Sequence, residues 1–314
     1  MVRLLHGPRL YCLLLLLPAF ELLRHVQIVA AVPKHDDYRA AAAFVRGELA
    51  PNDLIAAAPS FIDPIVRQQL GDRIPLAMAG RSDTAAYERM WVLSIRGALP
   101  PDAPPSAAAL EREFGGVRVL RFDLGPSPLL FDFVSAWRSG RATLERPGGA
   151  VECRLRQGGV PRGGGLGKGV LLPLRERYEC DANRAWAGIG PVVMEDLDNR
   201  PRYCLLQAPQ GEQPVRMTFS DVPLGDELIF DAGLYYEHER MRQGGPVEAT
   251  IAIDGQTGGT LLHRDGDGWK RLRLATRPKR GTVEIAVRAP HPEGRSFCWS
   301  ASTRNKPAAG RVGP

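Results

Sequence analysis

The chain has 314 residues, of which 44% are hydrophobic and 24% are charged. This length suggests about two domains, and this composition excludes wholesale disorder and a polytopic membrane protein. The formal net charge is +6, but the basic residues are not gathered with aromatic residues on one element. Nucleic acid is therefore not predicted as a partner.

Residues 1–33 have the pattern of a signal peptide or a membrane anchor. Arg3, His6 and Arg9 form a positive start, and Leu13 to Leu17 are five consecutive leucines. A cleaved signal needs such an apolar run followed by small residues, whereas a spanning helix needs about 20 apolar residues. Both interpretations stay open, with the end of a last membrane helix and a buried amphipathic helix as two further ones. Export or anchoring places the bulk of the chain outside the cytoplasm, in the periplasm, exported or attached to a membrane.

Residues 34–147 are predicted to form a small α/β domain with Rossmann-like layering. The pattern gives helices over 38–49, 63–70, 82–89 and 106–114, and strands over 54–58, 75–79, 90–95 and 117–124. Strands that alternate with helices predict a parallel or mixed sheet. The first strand runs into Ala58-Pro59-Ser60 rather than a Gly-rich phosphate loop, so a dinucleotide cofactor is not predicted.

Residues 148–169 are rich in glycine and are predicted to form a linker. Lys168 follows Gly167, but Gly169 stands where a nucleotide-binding loop needs Ser or Thr. Residues 170–304 then show short strands separated by turns, with clear alternation at Val247, Ala249, Ile251 and Ile253. This spacing predicts an all-β, jelly-roll-like sandwich, followed by a flexible tail over 305–314.

Four cysteines in the β half predict disulfide bonds. They are Cys153, Cys180, Cys204 and Cys298, and they form no C-x-x-C pair of the kind that binds zinc. An even number of cysteines in an exported domain predicts two disulfides. We favour Cys153–Cys180 with Cys204–Cys298, because the second pair would join an early strand to the last one. Four buried free thiols are the alternative.

Candidate ligand-binding residues lie near the end of the β half. Glu237, His238 and Glu239 have the side chains that ligate metals or transfer protons, but neighbours on a strand face opposite sides, which favours a solvated loop end. A platform for sugar rings is the other candidate, formed by Tyr235, Tyr236, Trp269 and Trp299. No nucleophile elbow, H-E-x-x-H motif or spaced carboxylate pair is present in the sequence, so no catalytic residue is predicted.

Asp265-Gly266-Asp267-Gly268 resembles half of a calcium-binding loop. Trp269 and Lys270 follow in place of the further oxygen ligands that an EF-hand needs. A tight turn is the simpler interpretation, and Ca²⁺ is the one cofactor that this pattern allows. A second acidic cluster, with the same two interpretations, consists of Glu195, Asp196 and Asp198.

Three segments of the N-terminal half carry a family pattern. They are Asp37-Tyr38-Arg39-Ala40-Ala41-Ala42, Pro51-Asn52-Asp53-Leu54-Ile55 and Tyr87-Glu88-Arg89-Met90-Trp91-Val92-Leu93. These segments resemble the extracytoplasmic C-terminal region of bacterial family 39, dolichyl-phosphate-mannose mannosyltransferase-like membrane glycosyltransferases. The resemblance covers about residues 10–125 and implies a last membrane helix followed by a helix and a turn-and-strand unit. The Pro-Asn-Asp turn departs from the family's Gly-Asp form, and the family's many membrane helices and catalytic acids are missing. The β half is similar in layout to carbohydrate-binding jelly rolls.

These patterns together predict a non-catalytic, membrane-anchored extracytoplasmic protein. Its expected partner is a glycan, a polyprenyl-linked sugar or a membrane glycosyltransferase that it accompanies. Two alternatives are an envelope hydrolase or transferase with its site near Glu237, His238, Glu239 and Asp265, and a purely structural envelope protein.

Overall fold

The computed structural model describes residues 8–30, 32–158, 176–181 and 188–306. The chain divides into two compact units. The first unit comprises Met1–Arg73 and Arg89–Asp123, and the second comprises Ile74–Glu88 and Leu124–Pro314. Residues 74–88, here called the inserted segment, and residues 124–147 therefore belong to the second unit, although their sequence pattern placed them with the first.

The first unit is built on a four-stranded sheet. Its elements are α1 (Pro8–Ala30), α2 (His35–Glu48), β1 (Asp53–Ala58), α3 (Asp63–Leu70), β2 (Arg89–Ser94), β3 (Leu110–Phe114) and β4 (Val117–Asp123). The strand order is β1-β2-β4-β3, and only the β1–β2 pair of this sheet is parallel. The predicted α2, α3, β1, β2 and β4 are confirmed. Rossmann-like layering requires a run of parallel strands, which this mixed sheet lacks.

The predicted helix over 106–114 is wrong. Residues 110–114 form β3, which pairs with β4 across a turn at Gly115-Gly116. A helix here would need an apolar stripe to bury, but this edge strand carries the exposed residues Glu111, Arg112 and Glu113. A charged edge strand is also what protects a sheet from pairing with another chain.

Asp53 anchors the start of β1 inside the first unit. Its carboxylate pairs with Arg89 at 2.6 Å and accepts hydrogen bonds from Trp91 Nε1 and the Ala50 backbone N–H, each at 2.9 Å. Burial opposes ionisation of Asp53, but Arg89 and the Ala50 N–H outweigh it and lower its pKa. The Pro-Asn-Asp turn thus has a structural role, because its carboxylate joins β1 to β2.

Helix α1 occupies most of the predicted anchor segment, while residues 1–7 and 31 lie outside the described residues. Its large apolar side chains between Leu16 and Val29 are 54–65% exposed. In the described part of the chain, no helix is long and apolar enough to span a membrane.

The second unit is a β-sandwich, as predicted. Its elements are α4 (Leu76–Ala79), β5 (Leu129–Asp132), β6 (Arg141–Arg146), β7 (Gly149–Glu152), β8 (Arg154–Gln157), β9 (Glu176–Glu179), β10 (Ile189–Glu195), β11 (Pro201–Gln207), β12 (Val215–Leu224), β13 (Glu227–Leu234), α5 (Tyr236–Met241), β14 (Val247–Ile253), β15 (Gln256–His263), β16 (Lys270–Ala275), β17 (Lys279–Arg288) and β18 (Phe297–Arg304). One sheet has the order β16-β13-β18-β11-β10-β9-β8, with β5 also paired to β18. The other has the order β15-β14-β17-β12-β6-β7.

The two sheets share one apolar core. Phe230 and Trp299 of the eight-stranded sheet pack in the same cluster as Met217, Phe219 and Ile285 of the six-stranded sheet. Burial of these large side chains is the main source of stability for the sandwich. Part of the predicted linker over 148–169 forms β7 and β8, and residues 159–175 and 182–187 lie outside the described residues.

The inserted segment differs from its predicted structure. The predicted strand over 75–79 is the short helix α4, and residues 82–88 form turns rather than a helix. Gly80 follows α4, and its carbonyl accepts a hydrogen bond from the Tyr203 N–H of β11 at 2.7 Å. A Cβ at position 80 would lie 2.4 Å from that nitrogen, so only glycine allows this approach. The segment therefore folds around a partner that local sequence does not reveal.

Both favoured disulfides are present. Cys153 is bonded to Cys180, and Cys204 is bonded to Cys298. The second bond joins β11 to β18, which also pair as neighbouring strands. Two disulfides indicate a protein of an oxidising compartment, outside the cytoplasm.

We predict that the Cys204–Cys298 bond stabilises the sandwich more than the Cys153–Cys180 bond. The two bonds close loops of 94 and 27 residues, and chain-entropy loss in the unfolded state gives about 4.7 and about 3.5 kcal/mol respectively. Urea unfolding of the Cys204→Ser/Cys298→Ser and Cys153→Ser/Cys180→Ser variants measures both losses. Equal losses, or a larger loss for the second variant, would contradict this order.

Candidate functional site

The eight-stranded sheet has one face in the sandwich core and one face directed away from the six-stranded sheet, here called the outer face. On β18, Phe297, Trp299 and Ala301 belong to the core. Successive side chains of a strand alternate between faces, so Ser300 and Ser302 belong to the outer face. Ser300 is paired with Asp231 of β13, and Asp231 is paired with Arg271 of β16. A row of polar groups therefore crosses three strands.

A pocket of about 120 Å³ lies over this row, with the inserted segment as one wall. Its charged lining consists of three carboxylates and two guanidinium groups, and its hydroxyl groups come from serine and tyrosine. These polar lining residues are Arg81, Ser82, Asp83, Tyr87, Asp132, Tyr203, Asp231, Ser300, Ser302 and Arg304.

Arg271 joins the sheet to the inserted segment beneath the pocket. It contacts Asp231 at 2.7 Å through Nε and Asp83 at 2.8 Å through a terminal nitrogen. Arg304 also pairs with Asp83 at 2.8 Å and donates to Ser302 Oγ at 2.8 Å. The side chains of Asp83 and Asp231 are only 8% and 4% exposed. The carboxylates are therefore held in fixed positions by fork-shaped donors.

The two carboxylates differ in their readiness to ionise. Burial raises the pKa of Asp231, and Arg271 only partly offsets this effect. Burial acts in the same direction on Asp83, but Arg304, the Ala85 N–H and Arg271 outweigh it, so the pKa of Asp83 is lowered. The carboxylate form of Asp83 in the inserted segment is thus well stabilised, whereas the carboxylate form of Asp231 in the pocket is less stabilised.

Two predicted platform residues are engaged by the protein itself. Trp299 is fully buried, stacks on Phe230 and donates from Nε1 to Gln207 Oε1 at 2.8 Å. This corrects the prediction that Trp299 offers a ring to a sugar, because its position on β18 directs it into the core. Trp269 packs against the backbone of Gly233, where a Cβ would lie 2.6 Å from the indole, and Arg202 lies over its ring.

Tyr235, Tyr236 and His238 form a partly exposed group at the end of β13. The ring centroids of the two tyrosines are 4.8 Å apart, and those of Tyr235 and His238 are 5.7 Å apart. Tyr236 donates to Glu237 at 3.2 Å. Burial, with the Glu237 charge, raises the pKa of Tyr235 to about 12, so its hydroxyl is protonated at neutral pH. This group keeps the predicted ligand-binding role as a prediction.

Glu239 does not lie on a solvated loop end. Residues 236–241 form α5 instead of extended chain, and Glu239 is fully buried. Its Oε1 accepts hydrogen bonds from the backbone N–H groups of Gly266 at 3.2 Å and Gly268 at 2.7 Å. Burial raises its pKa in spite of these two donors. The carboxylate therefore holds the 265–268 turn from inside and is out of reach of a substrate.

Asp265 and Asp267 are occupied by cations of the chain. Asp265 pairs with Arg295 and accepts from the Gly244 N–H, while Asp267 pairs with Lys270 at 2.9 Å and caps the turn at Arg264. The described residues contain no group of three or more His, Cys, Asp or Glu side chains that would hold a metal ion. The Asp-Gly-Asp-Gly motif thus forms a capped turn, which was the simpler interpretation.

The second acidic cluster is likewise part of a turn. Asp196 is buried and accepts from the Asp198 and Arg200 N–H groups at 3.0 Å each. It also pairs with Arg202 at 2.7 Å. These contacts hold the β10–β11 turn together.

We predict that acid weakens the second unit through His263 and His238. Burial lowers the pKa of both imidazoles below 6.5. Below pH 6.5 the unfolded chain gains protons that the folded chain refuses, so the free energy of unfolding falls, by at most about 1.4 kcal/mol per pH unit for each histidine. The raised pKa of Glu239 has the opposite effect on the free energy of unfolding, because its carboxyl group takes up a proton in the folded chain before it does so in the unfolded chain.

The test is urea unfolding at pH 7 and pH 5.5 with a matched pair of variants. His263 Nε2 donates to the Gly268 carbonyl at 2.8 Å, and His263→Gln keeps a donor there without a titrating group. We expect a smaller acid loss in His263→Gln than in the wild type, and no change from His291→Gln, since His291 is exposed. An unchanged acid loss in His263→Gln would refute the assignment.

The sequence missed the residues of the pocket. The pattern predicted Ser82 and Asp83 as the cap of a short helix in the α/β domain, and it predicted no role for the serines of β18. One signal was available, because Ser300 and Ser302 alternate with the core residues Trp299 and Ala301. Polar side chains at every second position mark the solvent face of a strand.

No protein-family model matches the chain, and no curated protein matches it either. Among solved structures, the chain is similar to a chain of Clostridium perfringens ZmpB. That structure contains CBM51-2, in complex with GlcNAc, and INT domains. The identity is 15%, the match covers 39% of this chain and 26% of that chain, and the TM-score is 0.28. This chain thus matches about a quarter of the ZmpB chain.

Two further structures are single carbohydrate-binding modules. The CBM51 of Clostridium perfringens GH95, in complex with methyl-galactose, is 8% identical, with 36% of this chain and 81% of that chain covered and a TM-score of 0.26. The module CBM6cm-2 of Cellvibrio mixtus lichenase 5A, in complex with cellotriose, is 12% identical, with 38% and 88% covered and a TM-score of 0.25. The strand pairing of the second unit makes it a sandwich of two sheets. The resemblance of residues 10–125 to family 39 glycosyltransferases stays a prediction.

Proposed function

We propose that this protein binds carbohydrate outside the cytoplasm, in the pocket on the outer face. The observation that carries the proposal is the charge-balanced, hydroxyl-rich lining. Asp83, Asp132 and Asp231 are offset by Arg81 and Arg304 in the lining and by Arg271 beneath it. Such a site offers acceptors and donors at fixed positions without a net charge. Sugar hydroxyls, which donate and accept at once, are the ligand groups that match it.

Tyr235 and Tyr236, with Glu237 and His238, are the second candidate location for a glycan. Aromatic side chains pair an apolar ring with a polar tip, which suits the mixed surface of a sugar. The two disulfides support the compartment, and periplasmic location is part of the proposal. We further propose a polyprenyl-linked sugar as the ligand and, as the partner, a membrane glycosyltransferase that this protein accompanies.

The two other functions gain less from the geometry. A hydrolase or transferase at Glu237, His238, Glu239 and Asp265 would need its central carboxylate within reach of a substrate, but Glu239 is fully buried. A purely structural envelope protein is the remaining alternative, in which these ion pairs serve only to hold the inserted segment on the sheet. It is the outcome to accept if the following experiment shows no ligand.

We predict that the full chain binds glycans on a printed array, and that Asp231→Asn weakens this binding about tenfold or more. A hydrogen bond to a charged group contributes about 1.5–3 kcal/mol, which corresponds to at least a tenfold change in affinity. The control is Asp221→Asn, because Asp221 is an exposed carboxylate that does not line the pocket.

The array is read in calcium and again in chelator, and the melting temperature of each variant confirms folding. Absence of glycan binding, or unchanged binding by a folded Asp231→Asn, would remove this pocket as a carbohydrate site. Binding that disappears in chelator would point to a metal-dependent site instead.

Helix α1 is the proposed means of attachment to a membrane. Ala19, Leu22, Leu23, Val26 and Val29 follow helical spacing, and the four larger ones are 56–65% exposed. An apolar stripe of this kind binds the lipid interface by burying its surface there.

We predict that the full chain floats with liposomes that contain anionic lipid. The triple variant Leu22→Ser/Val26→Ser/Val29→Ser should remain in the aqueous fraction. Leu99→Ser is the control, since Leu99 is equally apolar and 52% exposed but lies outside α1. Flotation of the triple variant at the wild-type level would contradict attachment through this stripe.

A further inference from the structure

We infer that the pocket takes a single neutral sugar unit at the end of a glycan, and does not hold the interior of a glycan chain. This inference rests on the proposed carbohydrate function and specifies its ligand. Three features of the pocket support it, namely its size, its walls and its charge.

The size favours one sugar ring over several. The volume of about 120 Å³ lies well below the roughly 300–1,000 Å³ of pockets for larger organic ligands. Two linked rings would have to extend beyond the pocket.

The walls make the site a pocket on the sheet instead of an open groove along it. Ser82 of the inserted segment and Ser300 of β18 form a hydrogen bond between their hydroxyl oxygens at 2.7 Å. This bond connects the wall to the floor beside Asp231. On another side, Asp132 of β5 lines the pocket, and its carboxylate is fixed by the Val134 N–H at 2.9 Å. The inserted segment therefore bounds the pocket on one side and β5 bounds it on another, so we expect only the terminal unit of a glycan to enter.

The charge favours a neutral unit. The buried carboxylates Asp83 and Asp231 already share Arg271, and Asp83 also holds Arg304. Arg81, the other guanidinium group of the lining, donates to the Met78 carbonyl at 3.0 Å. An acidic sugar would bring a carboxylate beside two carboxylates whose cations are engaged. A buried unpaired charge is costly, so a uronic acid should be rejected while hydroxyl groups are accepted.

The experiment measures binding to the full chain by isothermal titration calorimetry. The probes are methyl glycosides of glucose, galactose, mannose and N-acetylglucosamine, oligosaccharides that end in each unit, and the corresponding terminal uronic acids. We expect one neutral methyl glycoside to bind within about threefold of the oligosaccharides that it terminates, and its uronic acid to bind at least tenfold more weakly.

The variant Ser82→Leu tests the location, because leucine would fill the pocket beside Ser300. It should abolish binding of the methyl glycoside, while Ser82→Ala, which only removes the hydroxyl, should retain binding within about tenfold. Ser106→Leu is the control for an added leucine at an exposed serine elsewhere. Melting temperatures show whether each variant is folded, and Ser82→Ala remains informative if Ser82→Leu is not.

The outcomes separate this inference from the function beneath it. If no glycan of any length binds, both fail. If oligosaccharides bind and Asp231→Asn weakens them, but no methyl glycoside binds or affinity rises more than tenfold with chain length, the function stands and the single-unit inference is overturned. Equal affinity for neutral and acidic units would overturn the charge argument.

Discussion

The contact on which the site depends is the buried fork of Arg271 between Asp231 and Asp83. One guanidinium group ties β13 of the sandwich to a segment that lies far away in sequence. Removal of one member of such a buried pair leaves a charge without its partner, which typically costs about 3–5 kcal/mol. The fork therefore fixes where the inserted segment lies, and with it the shape of the pocket.

A consequence for recognition is that the site is organised before any ligand arrives. The carboxylates of Asp83 and Asp231 are held by arginines, and the seryl hydroxyls of the wall and floor already contact one another. Ordering these groups at the moment of binding would reduce affinity, and here that ordering is part of folding. Weak polar contacts with the proposed sugar ligand would then cost little side-chain entropy.

Sequence patterns revealed the elements that depend on local chemistry. Alternation at Val247, Ala249 and Ile251 predicted a strand of the sandwich, and the positions of the cysteines on an early and a late strand led to the correct disulfide pairs. Sequence patterns failed where the conformation of a segment depends on a partner that is distant in sequence. The pattern of residues 75–79 predicted a strand, but Gly80 must approach β11. Glu239 was predicted to be exposed, but it holds a turn 27 residues later. The pocket was invisible for the same reason, because Ser82 and Ser300 meet only in the folded chain.

The position of the inserted segment in the sequence also affects the order in which the parts of the pocket are synthesised. Asp83 and Arg271 are separated by 188 residues, so at about 5–20 residues per second a ribosome makes them roughly 10–40 s apart. During that interval the acidic segment has been made and its guanidinium partner has not. Closing a loop of this length also slows folding, because its entropy is lost before the contact can form. The lining of the pocket is complete only once β18 has been made, so a chain that stops short of β18 lacks Ser300, Ser302 and Arg304 of that lining.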